Sequence, residues 1–239
     1  MARVIRSPAR MNAIQARSSA GASFRLLRMA GIGCVVNELI VSSTIGARRA
    51  QQEEARNMVW YIDPAHTQAT FSVKHMMVST VRGRLGKLRG EIELDPENPE
   101  RASFEIGADV TAIDTGDARR DGHLRSADFF DAENYPEIVF TSSAVFPKGE
   151  NRYAVSGDLK IRGVTRPVTF DVELEGVGVD GRGGKHLGAS ATVTIDRKDF
   201  GLVWNQPIQN GVMVGDKVRV DVGLEALDAA SAKAMGLAA

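Results

Sequence analysis

The sequence predicts an all-β protein whose strands form one antiparallel barrel. Apolar and polar residues alternate with a period of two through eight segments of the chain, which is the pattern of strands that bury one face. Turn-forming stretches such as Asp95–Pro99 separate some of these segments. Eight antiparallel strands with a consistent inner face favour a closed barrel, because closure removes exposed strand edges. A two-sheet sandwich is the alternative that alternation leaves open.

The strands run through most of the chain after residue 58. In chain order the alternating segments are Ala69–Met77, Val81–Leu94, Ser103–Val110, Ile138–Ser142, Tyr153–Ile161, Val168–Leu174, Leu187–Ile195 and Val218–Leu224. We expect several strands to extend to around a dozen residues, which at about 3.3 Å per residue make a wall about 40 Å high. Such a barrel has room for an elongated ligand. The inward residues that we take as candidate ligand contacts are Phe71, Val73, His75, Met77, Phe104, Ile106, Phe140 and Phe170.

One segment interrupts the alternation. Thr115–Ser126 has no period of two, and its Asp and Thr residues are good helix caps. We therefore expect a short helical plug between the third and fourth strands. Phe129 and Phe130 follow it and are expected to pack onto one end of the barrel, although aromatic residues guarding a mouth would give the same pattern. The tail, 229–239, is rich in Ala and able to form a helix.

The first 57 residues differ in character from the rest. They contain nine Arg and three Glu, whereas the whole chain has 30 basic and 30 acidic residues. An apolar run, Met29–Ile45, imitates a signal sequence, but Asn37 and Glu38 interrupt it and it is short for a membrane span of about 20 residues. We expect 1–57 to be a poorly ordered extension, followed by the barrel over 58–228. The balanced charge gives no reason to expect a nucleic-acid partner.

Motifs for catalysis and metal binding are weak. Cys34 is the single cysteine and lies in the extension, and GxSxG and HExxH motifs are absent from the sequence. The four histidines, His66, His75, His123 and His186, lack the spacing of metal ligands, so we expect no metal and no cofactor. An inward His75 is either a hydrogen-bonded core residue or a group that orients an apolar ligand.

Two further patterns have simple structural interpretations. Gly176–Gly181 matches GxGxxG, but a helix does not follow it, so a hairpin loop is the better interpretation. The basic group Arg119, Arg120, His123 and Arg125 suits an anionic head group. Nearby Asp residues nearly neutralise it, which favours a surface network.

Four stretches resemble the YceI-like family of polyisoprenoid-binding, lipocalin-like proteins. They are "IDPAHTQATFSVKHMMVSTVRGRLGKLRGEIELD", "LRSADFFDAENYPEIVFTSS", "VSGDLKIRGVTRPVTFDV" and "TIDRKDFGLVW", and the resemblance extends from about Trp60 to Asp228. It implies an elongated eight-stranded barrel whose apolar tunnel holds a long-chain isoprenoid or related lipid without covalent attachment. Carried over to this chain, it implies tunnel or mouth positions for Phe71, Val73 and His75 in "TFSVKH" and for Leu124, Phe129, Phe130, Phe200 and Trp204.

The resemblance favours non-catalytic storage or transport of such a lipid, either a polyisoprenoid, an isoprenoid quinone or a similar molecule. The alternatives are a lipid-modifying enzyme that uses the barrel as a dry pocket, with His75 as base, and a filled barrel that serves as an interaction module. Many family members carry a clean signal peptide, whereas residues 1–57 of this sequence are irregular and rich in Arg. We therefore expect a cytoplasmic location, with export as the alternative, and leave a homodimer open.

Overall fold

The computed structural model describes residues 58–209 and 211–238. The expected extension over 1–57 lies outside the described residues. Within them the strands are β1 (Val59–Ile62), β2 (Gln68–His75), β3 (Ser79–Arg84), β4 (Leu88–Glu93), β5 (Ser103–Asp109), β6 (Glu137–Gly149), β7 (Arg152–Ile161), β8 (Val164–Val179), β9 (Lys185–Asp196), β10 (Pro207–Ile208), β11 (Gly211–Val212) and β12 (Val214–Asp228). The helices are α1 (Ala118–Arg125) and α2 (Ala229–Ala234), with 3₁₀ turns at Pro99–Arg101 and Arg197–Phe200.

The strands form a closed antiparallel barrel, as the sequence predicts. The sheet runs in the order β1, β4, β5, β6, β7, β8, β9 and β12, and β12 pairs again with β1. On this edge of β12, β1 pairs with the last residues of β12, with Trp60 opposite Asp228. β2 pairs with an earlier part of β12, with Ala69 opposite Val222. In the next position, β4 pairs with β1 and β3 pairs with β2. These two pairs of short strands fill two positions, so the barrel has eight strand positions.

The connections divide the barrel into two ends. Because neighbouring strands are antiparallel, the β5–β6 connection, the β7–β8 turn and the β9–β12 connection lie at one end, which we call the plugged end. The β4–β5 connection and the β6–β7 and β8–β9 turns lie at the other, which we call the hairpin end. The residues of the GxGxxG match form the end of β8 and its turn, as the hairpin interpretation predicts.

The helix α1 lies between the third and fourth strand positions, where the sequence predicts a plug. The Asp117 carboxylate caps it by accepting hydrogen bonds from the backbone N–H groups of Arg119 and Arg120 at 3.0 and 3.1 Å. Asp121 is buried and accepts hydrogen bonds from the N–H and hydroxyl of Thr115. Arg120 also donates to the Thr115 hydroxyl at 2.7 Å. Of the basic group, the Arg120 side chain thus joins the hydrogen bonds around α1.

The β2–β3 turn differs from the expected strand. Alternation extends to Met77 in the sequence, but β2 ends at His75, and Met76 and Met77 take left-handed backbone conformations with φ of 51° and 61°. Met77 is consequently 59% exposed and Val78 is 84% exposed. A tight turn that requires positive φ overrides the local alternation, so Met77 lies in the turn and does not face the barrel interior.

Among the described residues, no helix has the length and apolar character needed to cross a membrane.

Buried Arg197 holds the plugged end together. Its guanidinium donates hydrogen bonds to the carbonyls of Gly215 and Trp204, each at 2.9 Å, and to the carbonyls of Leu202 and Val214. The side chain is only 4% exposed. Because a guanidinium presents five donors in a fixed plane, one side chain ties the segment after β9 to the start of β12.

We predict that Arg197→Met destabilises the protein by about 3–5 kcal/mol, since it leaves several buried carbonyls without a donor. The free energy of unfolding, measured by urea titration, checks this. Arg219→Met is the matched control, because Arg219 is exposed and pairs with exposed Asp221, and such pairs contribute little to stability. Equal losses in the two variants would contradict the prediction.

Gly157 of β7 lets the Phe140 side chain pack against the strand. A Cβ at this position would lie 2.3 Å from the carbonyl oxygen of Thr141 and 2.6 Å from Cζ of Phe140. We predict that Gly157→Ala lowers the free energy of unfolding by about 1–3 kcal/mol through overpacking. Gly178→Ala in β8, where a Cβ meets nothing within 4 Å, should change it by less than about 0.5 kcal/mol. Chemical denaturation of both variants tests the difference.

Candidate ligand cavity

The barrel contains an apolar cavity of about 160 Å³ toward its hairpin end. Seven strands, β4 to β9 and β12, contribute inward residues to its wall. The lining residues are Leu88, Ile92, Leu94, Pro99, Ala102, Phe104, Ile106, Phe140, Val145, Tyr153, Val155, Phe170, Val172, Leu174, Leu187, Ala189, Ser190, Ala191, Val222 and Leu224. Only Tyr153 and Ser190 of this set carry a polar side-chain group, so the wall suits an apolar molecule.

Three phenylalanines contribute to the wall of the cavity. The ring of Phe140 lies 5.9 Å from that of Phe104 and 4.9 Å from that of Phe170, measured between centroids. These distances are typical of tilted and edge-to-face aromatic pairs. Phe140 also belongs to the packed core of the plugged end. The three rings therefore stand at the boundary between cavity and core.

Small residues on β9 leave space inside the wall. Ala189 is opposite Leu174 and Leu224 in the neighbouring strands, and Ala191 is opposite Val172 and Val222. Since cross-strand partners share a face of the sheet, both alanines face the interior. A larger side chain at either position would occupy the cavity.

The cavity approaches the surface near the β4–β5 connection. Pro99, Ala102 and Val145 line it and are half-buried, and the 3₁₀ turn Pro99–Arg101 packs against β6. The cavity is therefore nearest to the surface at this part of the rim.

The plugged end is filled by side chains. Phe129, Phe200 and Leu202 are buried there, and Phe200 is 1% exposed. The ring of Trp204 lies 5.3 Å from Phe129 and 4.7 Å from His123. The end-packing interpretation of Phe129 is therefore confirmed.

The structure separates the candidate site residues into groups. Phe104, Ile106, Phe140 and Phe170 line the cavity. Leu124, Phe129, Phe130, Phe200 and Trp204 come together in the core of the plugged end. Phe71, Val73 and His75 lie in β2, and Met77 lies in the β2–β3 turn. A ligand role for the residues of all three groups stays a prediction, except that the inward position expected for Met77 is wrong.

Most of the lining was not singled out from the sequence. Leu174, Leu187, Val222 and Leu224 are in the inward phase of strands that alternation identifies, but phase does not give the height of a residue along the barrel axis. The available signal was the pair of small inward residues in β9, Ala189 and Ala191, because small residues on an inner face leave room.

Comparisons with known proteins agree with this architecture. The YceI-like domain matches residues 60–226. A UPF0312 protein of Vibrio cholerae is 38% identical over 138 residues, which cover 58% of this chain and 73% of that protein. The crystal structure of Burkholderia cenocepacia BcnA has a TM-score of 0.59 at 27% identity and covers 69% of this chain and 98% of its own.

A more distant structure has the same fold. It is a polyisoprenoid binding domain from Saccharophagus degradans implicated in plant cell wall breakdown, with a TM-score of 0.54 at 16% identity. The similarity covers 72% of this chain and 99% of that domain. With the family match over most of the barrel, this chain belongs to the YceI-like family.

Proposed function

We propose that the barrel binds a long-chain apolar lipid, such as a polyisoprenoid or an isoprenoid quinone, and stores or transports it without chemical change. The observation that carries this proposal is the apolar cavity, which seven strands line and which reaches the hairpin end. Burial of a saturated or isoprenoid chain against such an apolar wall is favourable by about 0.8 kcal/mol for each CH₂ group.

The cavity volume sets how much of the ligand fits without rearrangement. At about 160 Å³ it resembles an engineered apolar cavity of about 150 Å³ that binds benzene. The cavity therefore accommodates the end of a chain, and a longer chain requires movement of the Phe104, Phe140 and Phe170 rings or of the rim at Pro99. About six buried carbons, as many as in benzene, would contribute about 5 kcal/mol before the cost of ordering the chain.

The wall also restricts where a head group can lie. The lining residues include no charged side chain, and burial of an unpaired charge is costly. A diphosphate or other charged head would therefore stay at the hairpin end, outside the cavity, where the half-buried Tyr153 offers a hydroxyl.

The structural neighbours support a ligand of this class. The Saccharophagus degradans domain is described as polyisoprenoid binding, and its fold is shared by this chain. The enzyme alternative has less support, because His75, the base that it requires, is not among the residues that line the cavity. A cytoplasmic location stays a proposal, since it depends on residues 1–57.

Ala191→Phe tests the proposal by filling the cavity. We expect it to abolish binding of a long-chain isoprenoid quinone, measured by fluorescence quenching, and to remove any lipid that native mass spectrometry or solvent extraction detects in the purified wild-type protein. Thr169→Phe is the matched control, because Thr169 is exposed on the outer face of β8 next to inward Phe170. The control should bind as the wild type does.

Recovery of empty wild-type protein that binds neither isoprenoid quinones nor polyprenyl diphosphates would refute lipid binding. Circular dichroism and urea unfolding of Ala191→Phe separate loss of binding from loss of fold. Should that variant unfold, the smaller change Ala189→Leu is expected to weaken binding for the same reason.

A further inference from the structure

A second cluster of functional side chains lies on the outer wall near the hairpin end. Nδ1 of His66 is 2.7 Å from Oδ2 of Asp63 and 4.0 Å from Oε1 of Glu225. These three ligand-type atoms all lie within 4.8 Å of one another. Asp63 and His66 belong to the β1–β2 connection and Glu225 to β12, so the barrel closure brings them together. We call these residues the Asp63–His66–Glu225 cluster.

Backbone contacts fix the cluster in place. The N–H of Asp63 donates to the carbonyl of Glu225 at 2.9 Å. The Thr67 hydroxyl donates to the same carbonyl and accepts from the Glu225 N–H, each at 3.0 Å. In the interruption between β1 and β2, a side-chain hydroxyl thus replaces part of the β-sheet pairing. The three side chains are held on a rigid frame, which is what a preorganised binding site requires.

A neighbouring histidine positions Glu225. Nδ1 of His186 lies 2.7 Å from Oε1 of Glu225. Nε2 of His186 is buried and lacks a hydrogen-bond partner, and the Asp180 carboxylate lies 3.5 Å from it. A hydrogen bond from outside the site commonly orients a ligating carboxylate, and His186 is placed for this role.

Three carboxylates, those of Asp63, Glu225 and Asp180, lie at or beside the cluster. They balance the charge of a divalent cation when the imidazoles of His66 and His186 are neutral, which is the form in which imidazole binds a metal.

We infer that Asp63, His66 and Glu225 bind a divalent transition-metal ion of the Zn²⁺ type. One imidazole and two carboxylates suit such an ion, which takes bonds of about 2.0–2.2 Å to these groups and leaves a position for water. Tetrahedral ligand atoms at these bond lengths lie about 3.3 Å apart. The His66–Asp63 separation must therefore increase from 2.7 Å and the His66–Glu225 separation must decrease from 4.0 Å for the three atoms to contact one ion. His66 is 63% exposed, so the ion can reach the site from solvent. This site is separate from the cavity and does not depend on lipid binding.

The sequence also supplies an internal comparison. His123 and Asp128, at the plugged end, form the same type of contact, with Nε2 2.9 Å from Oδ2. A third carboxylate or imidazole does not join this pair in the metal-ligand groupings of the described residues. The pair therefore tests whether a lone histidine and carboxylate are sufficient.

The test is isothermal titration of the untagged full-length protein with Zn²⁺, with Co²⁺ as a spectroscopic probe. We expect one equivalent of metal to bind, a visible absorption band from bound Co²⁺, and a rise in melting temperature on addition of metal. His66→Ala and Glu225→Gln should each weaken binding by more than about tenfold, whereas His123→Ala should bind like the wild type.

The inference is overturned if the wild type shows no heat of binding and no Co²⁺ band, or if His66→Ala and Glu225→Gln retain wild-type affinity. Unfolding curves of the metal-free variants show whether a loss of binding comes from a loss of stability. We expect the variants to stay folded, because His66 is exposed and Glu225→Gln preserves side-chain size. A binding signal that persists in both variants would come from elsewhere in the chain, such as Cys34, and would equally refute this site.

Discussion

Strand β12 is the constraint on which the barrel depends. One of its edges pairs with β9 over eleven residues, from Lys217 to Leu227. Its other edge pairs with β2 over its first part and with β1 at its end. Two short strands, β1 and β2, therefore pair with one continuous strand, β12. The connection between β1 and β2 must stay packed against β12. Closure of the barrel, the enclosed space and the position of Glu225 all follow from this pairing.

The interior divides into a packed part and an empty part because of residue size at different heights. At the plugged end, Phe129, Phe200 and Leu202 fill the space, and Arg197 satisfies the carbonyls that this packing removes from water. Toward the hairpin end, Ala189 and Ala191 face aliphatic residues across the sheet and leave the centre unfilled. Dense packing at one end gives the rigidity that an unfilled region at the other end lacks.

Sequence alone was sufficient for the strand positions and the plug, because period-two alternation and its interruption over Thr115–Ser126 are local signals. It was insufficient for Met77, because the turn has a left-handed backbone although Met77 is not a Gly or Asn. It also could not separate Phe170, which lines the cavity, from Phe200, which is packed. Both are apolar, and the sequence does not give the strand register that sets the height of Phe170 or the 3₁₀ turn that holds Phe200. The proximity of His66 and Glu225 could not be read from spacing either, since it depends on the pairing of β1 and β2 with β12.

The position of the cavity also bears on how a ligand would enter and leave. Its rim lies at the hairpin end and its far end meets packed aromatic rings. A lipid bound as proposed would enter the cavity tail first and leave it head first through the same opening. Whatever protein or membrane receives it would meet the polar head before the chain, so recognition of the cargo would precede its extraction.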